Sequence, residues 1–155
     1  EEKVSFLHAD VNEVTRFIKP DSVDVITCNP PYFKLTESSF TNELDAFAIA
    51  RHEIHLTLDQ LMKQTSHLLK MKGKAYFVHR PDRLMEILET MRNNRIAPKK
   101  LQFIYPKQSK EANMILIEGI KDGKEDGFRV LPPLVVYNEE GEYSQKVKDV
   151  LYGEQ

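Results

Sequence analysis

Apolar residues fall in two rhythms along this chain. Short runs rich in β-branched and aromatic side chains occupy residues 4–8 (Val4-Ser5-Phe6-Leu7-His8), 23–27 (Val23-Asp24-Val25-Ile26-Thr27), 74–79, 100–105 and 112–120. Runs of that length predict strands. Between them, apolar positions recur mostly three or four apart, which predicts helices. Val14 and Phe17 share a face in residues 11–17. Ala46, Phe47, Ala50, Ile54, Leu58, Leu61, Leu68 and Leu69 do so through residues 43–71. Leu84, Ile87, Leu88 and Met91 follow Pro81, which is tolerated in a first helical turn. Thr57 or Asp59 caps a second helix after a break near His55. Lys72-Gly73 ends it, with glycine just past the last turn, and Asn93-Asn94 closes the next. Residues 128–137 are extended and broken by Pro132-Pro133. A short helix over residues 144–152 closes the pattern.

The resulting order is β-α-β-loop-α-β-α-β-β with an appended arm. Strands separated by helices imply an α/β fold with a mostly parallel sheet. The last two main strands lie too close for an intervening helix, so they predict a C-terminal antiparallel hairpin.

The run at residues 23–27 leads through Cys28 into Asn29-Pro30-Pro31-Tyr32. Two prolines remove two backbone donors and fix two φ angles, so neither a central strand nor a helix continues there. Asn29, preceding a proline, is held extended. A stiff corner at the carboxyl end of a buried strand is where ligands bind in open α/β sheets. An amide oxygen beside a bare carbonyl offers two acceptors for a planar NH2 group, and Tyr32 offers a face for stacking. The blander reading is a strand-ending turn.

This Asn-Pro-Pro-Tyr set resembles the catalytic loop of class I, S-adenosylmethionine-dependent amino-methyltransferases. The resemblance implies that Asn29 and the Pro30 carbonyl hold the target amine, with Pro31 completing the corner and Tyr32 stacking on the flipped group. Four later blocks extend it: Ala50-Arg51-His52-Glu53 with Leu56 and Leu58; His79-Arg80-Pro81-Asp82-Arg83-Leu84; Glu111-Ala112-Asn113; and Pro132-Pro133-Leu134-Val135-Val136-Tyr137. Together they are similar to the bacterial family that N6-methylates an adenine next to the anticodon of a valine tRNA. That likeness implies S-adenosyl-L-methionine as cofactor and tRNA as partner. It implies a Rossmann-like sheet, with Asp10, Val11 and Asn29 on the cofactor. Tyr32, Phe33, Arg51, Arg80 and Arg83 fall on the RNA, with Lys99, Lys100, Lys107 and Lys110 as further phosphate contacts.

The family fold opens with a strand and a Gly-rich loop, and no G-x-G occurs among the six glycines here. Residues 1–155 are therefore expected to be the later two-thirds of one methyltransferase domain, lacking the first strands and inactive alone. The bare sheet edge calls for a second copy or an N-terminal piece to cover it. Other readings stay open: an enzyme acting on a release-factor glutamine or on an rRNA or DNA base, or a catalytically incomplete fragment.

Composition narrows this further. A chain of 155 residues, 41% hydrophobic and 30% charged, suffices for one soluble domain with a core. It has no apolar run of membrane-span length, and its single cysteine fits a reducing, cytoplasmic setting. Cys28 reads as a small buried residue at a strand end. His52 and His55 sit three apart on a helical pattern but have no third ligand in sight, so no metal site is expected. The net charge of −2 hides a segregation: residues 60–110 carry twelve Lys/Arg against three Asp/Glu, a local +9, and the remainder carries −11. That is either the footprint of a phosphate backbone or a set of solvated faces that never gather on one side.

Overall fold

The computed structural model describes residues 3–30 and 56–153. A 3-10 turn, Val11–Arg16, comes first, capped by Asp10, whose Oδ1 accepts the Asn12 amide at 2.7 Å. Strand β1 is Val23–Cys28. Helix α1, Leu58–Leu68, leads directly into β2, Leu69–His79. A 3-10 turn, Pro81–Arg83, opens α2, Leu84–Asn93. The antiparallel pair β3, Ile96–Tyr105, and β4, Met114–Lys121, follows. Two short strands, β5 (Arg129–Val130) and β6 (Leu134–Val135), and helix α3, Gln145–Tyr152, complete the described chain.

The sheet runs β1-β2-β4-β3-β5, with β6 also paired to β3. β1 and β2 are parallel, β4 is antiparallel to both β2 and β3, and β5 and β6 are parallel to β3. One reversed strand is therefore inserted in an otherwise parallel sheet, as the hairpin over residues 100–120 predicts. Leu58, Leu61 and Met62 of α1 and Ile87 and Met91 of α2 cover one sheet face. Beneath them lie Leu69, Ala75 and Phe77 of β2, Ile96 and Leu101 of β3, and Ile115 and Ile117 of β4. Burial of this apolar set is the main driving force for the fold.

Thr57 is the cap of α1. Its hydroxyl accepts the Gln60 amide while the Gln60 side chain accepts the Thr57 amide, a reciprocal box worth about 1 kcal/mol.

Three expectations need correction. Residues 4–8 form no strand: they are exposed and pair with nothing described, Phe6 being 97% exposed. An apolar run becomes a strand only where a neighbour fills its hydrogen bonds, and among the described residues β1 pairs with β2 alone. The second correction concerns Lys72-Gly73, which ends no helix. α1 stops at Leu68, and both residues lie within β2. There the register jumps from Val23↔Leu69 to Val25↔Lys74. Lys72 takes φ +66, and a Cβ on Gly73 would meet Lys70 O at 2.9 Å. The glycine marks a close backbone approach inside a strand. Thirdly, Phe17 turns outward, 59% exposed, and does not share a buried face with Val14. The helix expected over residues 43–55 and the loop over 33–42 lie outside the described residues.

Gly119 of β4 lies under α2, where a Cβ would collide with Met91 Cε and Ile96 Cγ2. Gly119→Ala should therefore lose about 1–3 kcal/mol through overpacking. A urea midpoint unchanged from wild type would show that the helix does not seat on the sheet this closely.

Candidate active site

β1 and β2 run the same way and leave the sheet at one edge. β1 delivers Asn29 and Pro30 there, and β2 delivers His79, Arg80 and Pro81. The two strands are locked by Thr27↔Tyr76 and Cys28↔Phe77. Asn29 is exposed while Pro30 is buried. Pro31, Tyr32, Phe33 and Arg51 lie outside the described residues, as do His52 and His55. Cys28, just before the corner, packs half-buried against the core, and burial pushes its thiol above the usual range.

Asp10 and Val11 are exposed at the start of the first 3-10 turn. The turn lies against α1, where the Gln64 amide reaches Asn12 O at 3.5 Å. One carboxylate oxygen of Asp10 caps the turn, and the second is available as an acceptor for an exocyclic amine.

The two arginines of the His-Arg-Pro block separate. Arg83 is 13% exposed and bound through both Nε and Nη2 to Glu86, a forked pair that braces the turn to α2. Arg80 is 60% exposed, with only a long 3.4 Å approach to Asp82. Of the two, Arg80 is the more exposed.

Five cations of the basic segment are paired with carboxylates from outside it or across the sheet. Lys70 pairs with Asp24, Arg92 with Glu125, Arg95 with Asp122, Lys99 with Asp126 and Lys100 with Glu118. Lys107 donates to Glu139 O. The acidic remainder thus folds back onto the basic stretch. A cleft of about 440 Å³ opens at the opposite, amino edge of the sheet, lined by Asp21, His67, Lys70, Arg95 and Lys121 among others. Its cations are already committed: Lys121, buried, binds Asp21 and Leu69 O. That pairing holds the Asp21 carboxyl below its usual range. The Asn29-Pro30 corner lies at the other edge, away from this cleft. Among the described residues no cluster of His, Cys, Asp or Glu could hold a metal.

The residue that sequence reasoning overlooks is His79, which is fully buried beside the corner. Its position at a strand end, directly before Arg80-Pro81, was the available signal.

Comparison with solved structures places this architecture among methyltransferase folds. A predicted O-methyltransferase from Agrobacterium tumefaciens superposes with a TM-score of 0.70 at 19% identity, over 95% of this chain and 62% of that one. A putative DNA modification methylase from Thermus thermophilus, solved with S-adenosyl-L-methionine, matches at 0.53 and 16%, over 93% and 71%. In sequence, the chain is similar to curated proteins named tRNA1(Val) (adenine(37)-N6)-methyltransferase. The one from Aliivibrio salmonicida is 30% identical over 112 residues, 72% of this chain. The chain spans about half the length of that relative, 47%. No family profile matches.

The burial of Cys28 gives a direct check. At pH 8 its reaction with a disulfide reagent should be slow in the folded protein and reach the rate of free cysteine only in denaturant. Free-thiol reactivity without denaturant would show that the end of β1 is not packed as described.

Proposed function

We propose that this chain carries the amine-gripping half of an S-adenosylmethionine-dependent N-methyltransferase acting on adenine N6 in the anticodon-loop region of a tRNA. The observation that carries this is the Asn29-Pro30 corner at the carboxyl end of a strand in a methyltransferase-type sheet. The relatives' names supply the substrate class.

The described residues fit one end of the cofactor. The Asp10 carboxylate is suited to accept from the amino group of its adenine, and Val11 lies beside it. No G-x-G, the motif that cradles the methionine end in the family fold, occurs in the sequence. Bound, the cofactor supplies a sulfonium methyl group.

The protein's own part is orientation. A base in an RNA loop is splayed out against Tyr32, with Phe33 packing its other side. The Asn29 side-chain oxygen and the Pro30 carbonyl accept the two N6 hydrogens, which aims the nitrogen lone pair. No strong base is needed beforehand, because the N6 proton becomes acidic only as the new C–N bond forms. Holding an attack geometry of this kind can account for several kcal/mol of barrier, and a displacement of about 1 Å costs roughly a hundredfold. Arg80 takes an RNA phosphate, with Arg51 as a second cation, and Arg83 supports the turn that presents Arg80. A tRNA substrate places the enzyme in the cytoplasm. Among the described residues no helix is long and apolar enough to cross a membrane.

The test uses the product of the full reading frame, labelled S-adenosylmethionine and three substrates: an unmodified valine tRNA transcript, a release-factor glutamine peptide and an adenine-containing DNA. N6-methyladenosine in the tRNA digest is the expected product. Asn29→Ala should lower kcat about a hundredfold. Transfer to the peptide or the DNA but not to the tRNA would overturn the substrate, and an undiminished Asn29→Ala would overturn the site.

A further inference from the structure

The scheme above leaves His79 without a task. It ends β2 at 1% exposure, and its strand partner on β4 is Ile115. The register Cys28↔Phe77, continued two residues, brings Pro30 level with His79 on the same sheet face, and both are buried. The Arg80 amide lies 2.7 Å from His79 Nδ1. A backbone N–H can only donate, so Nδ1 carries a lone pair and the neutral ring holds its proton on Nε2. The Arg80 carbonyl is 3.4 Å from Nδ1, too far to claim a proton there. A proton added at Nδ1 would face the Arg80 N–H, donor against donor.

We propose that His79, as the neutral Nε2-protonated ring, is a positioning residue for methyl transfer: it joins the Asn29-Pro30 corner to the Arg80 turn and keeps the Pro30 carbonyl in place. This role rests on the function proposed above. Among the described residues, Arg83 and Asp82 of the turn and Glu86 of α2 act on His79 by charge, and the Arg80 carbonyl favours the charged ring. Arg83 and Glu86 satisfy each other. Its register partner on β4 is the uncharged Ile115, and burial at the end of β1 keeps the Cys28 thiol neutral. Burial, the largest influence, pushes the imidazole below its usual value. Neutral His79 is thus the form the fold favours. The joint is intact above the usual imidazole pKa of about 6.5 and is lost as pH falls through the depressed value.

Two measurements decide it. Nitrogen-15 NMR of histidine-labelled protein at pH 8 should show His79 with its proton on Nε2, and a proton on Nδ1 would overturn the proposal whatever the activity. The second is the pH dependence of kcat on the tRNA transcript. Asparagine places an acceptor oxygen where Nδ1 stood, whereas the glutamine amide falls nearer Nε2. His79→Asn should keep kcat within about threefold of wild type at pH 8, with KM little changed, and lose the acidic limb of the profile. His79→Gln should fall roughly a hundredfold in kcat. An acidic limb retained in His79→Asn, or full activity in His79→Gln, would overturn the role while methylation by the wild type still stands. A wild type that methylates no tRNA overturns the parent function and this role with it.

Discussion

The parallel pairing of β1 with β2 is the constraint on which the candidate site depends. Asn29 and Pro30 have no secondary structure of their own, and their position is inherited from Thr27↔Tyr76 and Cys28↔Phe77. β2 is in turn fixed by β4 along Lys74↔Ile120 to His79↔Ile115, and its inward side chains are seated under α1 and α2. A one-residue slip in that register would exchange the two faces of β1. Ile26 and Cys28 would then leave the core. Burial of two small apolar side chains therefore decides which way an amide group at the sheet edge points.

The fold was legible wherever a local signal matched its tertiary partner. Of the two caps offered, Thr57 and Asp59, the structure uses Thr57 at the start of α1, in a reciprocal box with Gln60. Two apolar runs too close for a helix mark the β3–β4 hairpin. Misreading arose where one residue type serves two purposes. Gly73 lies at the spacing of a helix stop, yet its lack of a Cβ is used for a close approach inside β2. Residues 4–8 have strand composition, but a strand also needs a neighbour, and composition carries no information about neighbours.

The site was legible in the same uneven way. Pro30 and Pro31 announce a rigid exit because their constraint is covalent and needs no partner. The separate tasks of Arg80 and Arg83 are invisible in sequence, since both are arginines three apart in a polar turn. Only Glu86, one turn into α2, distinguishes the brace from the exposed cation. The charge segregation left two readings open for a related reason. A local excess of +9 suggests a phosphate-binding face, but its neutralising carboxylates are distant in sequence and close in space. Asp24, Glu118, Asp122, Glu125 and Asp126 each find a cation from the basic stretch. Exposed pairs of this kind add little stability singly. Their larger effect here is to remove cations from the set that could meet RNA.

The groups at the carboxyl edge that the proposed function uses are set by rigid elements, the ends of β1 and β2. That suits a reaction whose catalysis is orientation. A nucleophile that needs no deprotonation before attack gains nothing from a strong base, and it gains most from two acceptors that do not move. A strand end, a buried proline ring and a neighbouring buried imidazole are rigid supports for such acceptors. Long lysine side chains would be poor ones, because ordering them costs up to about 2 kcal/mol each in rotamer freedom. On the proposed function, the edge therefore favours short, packed groups for holding the amine and leaves the exposed Arg80 for the less exacting task of meeting a phosphate.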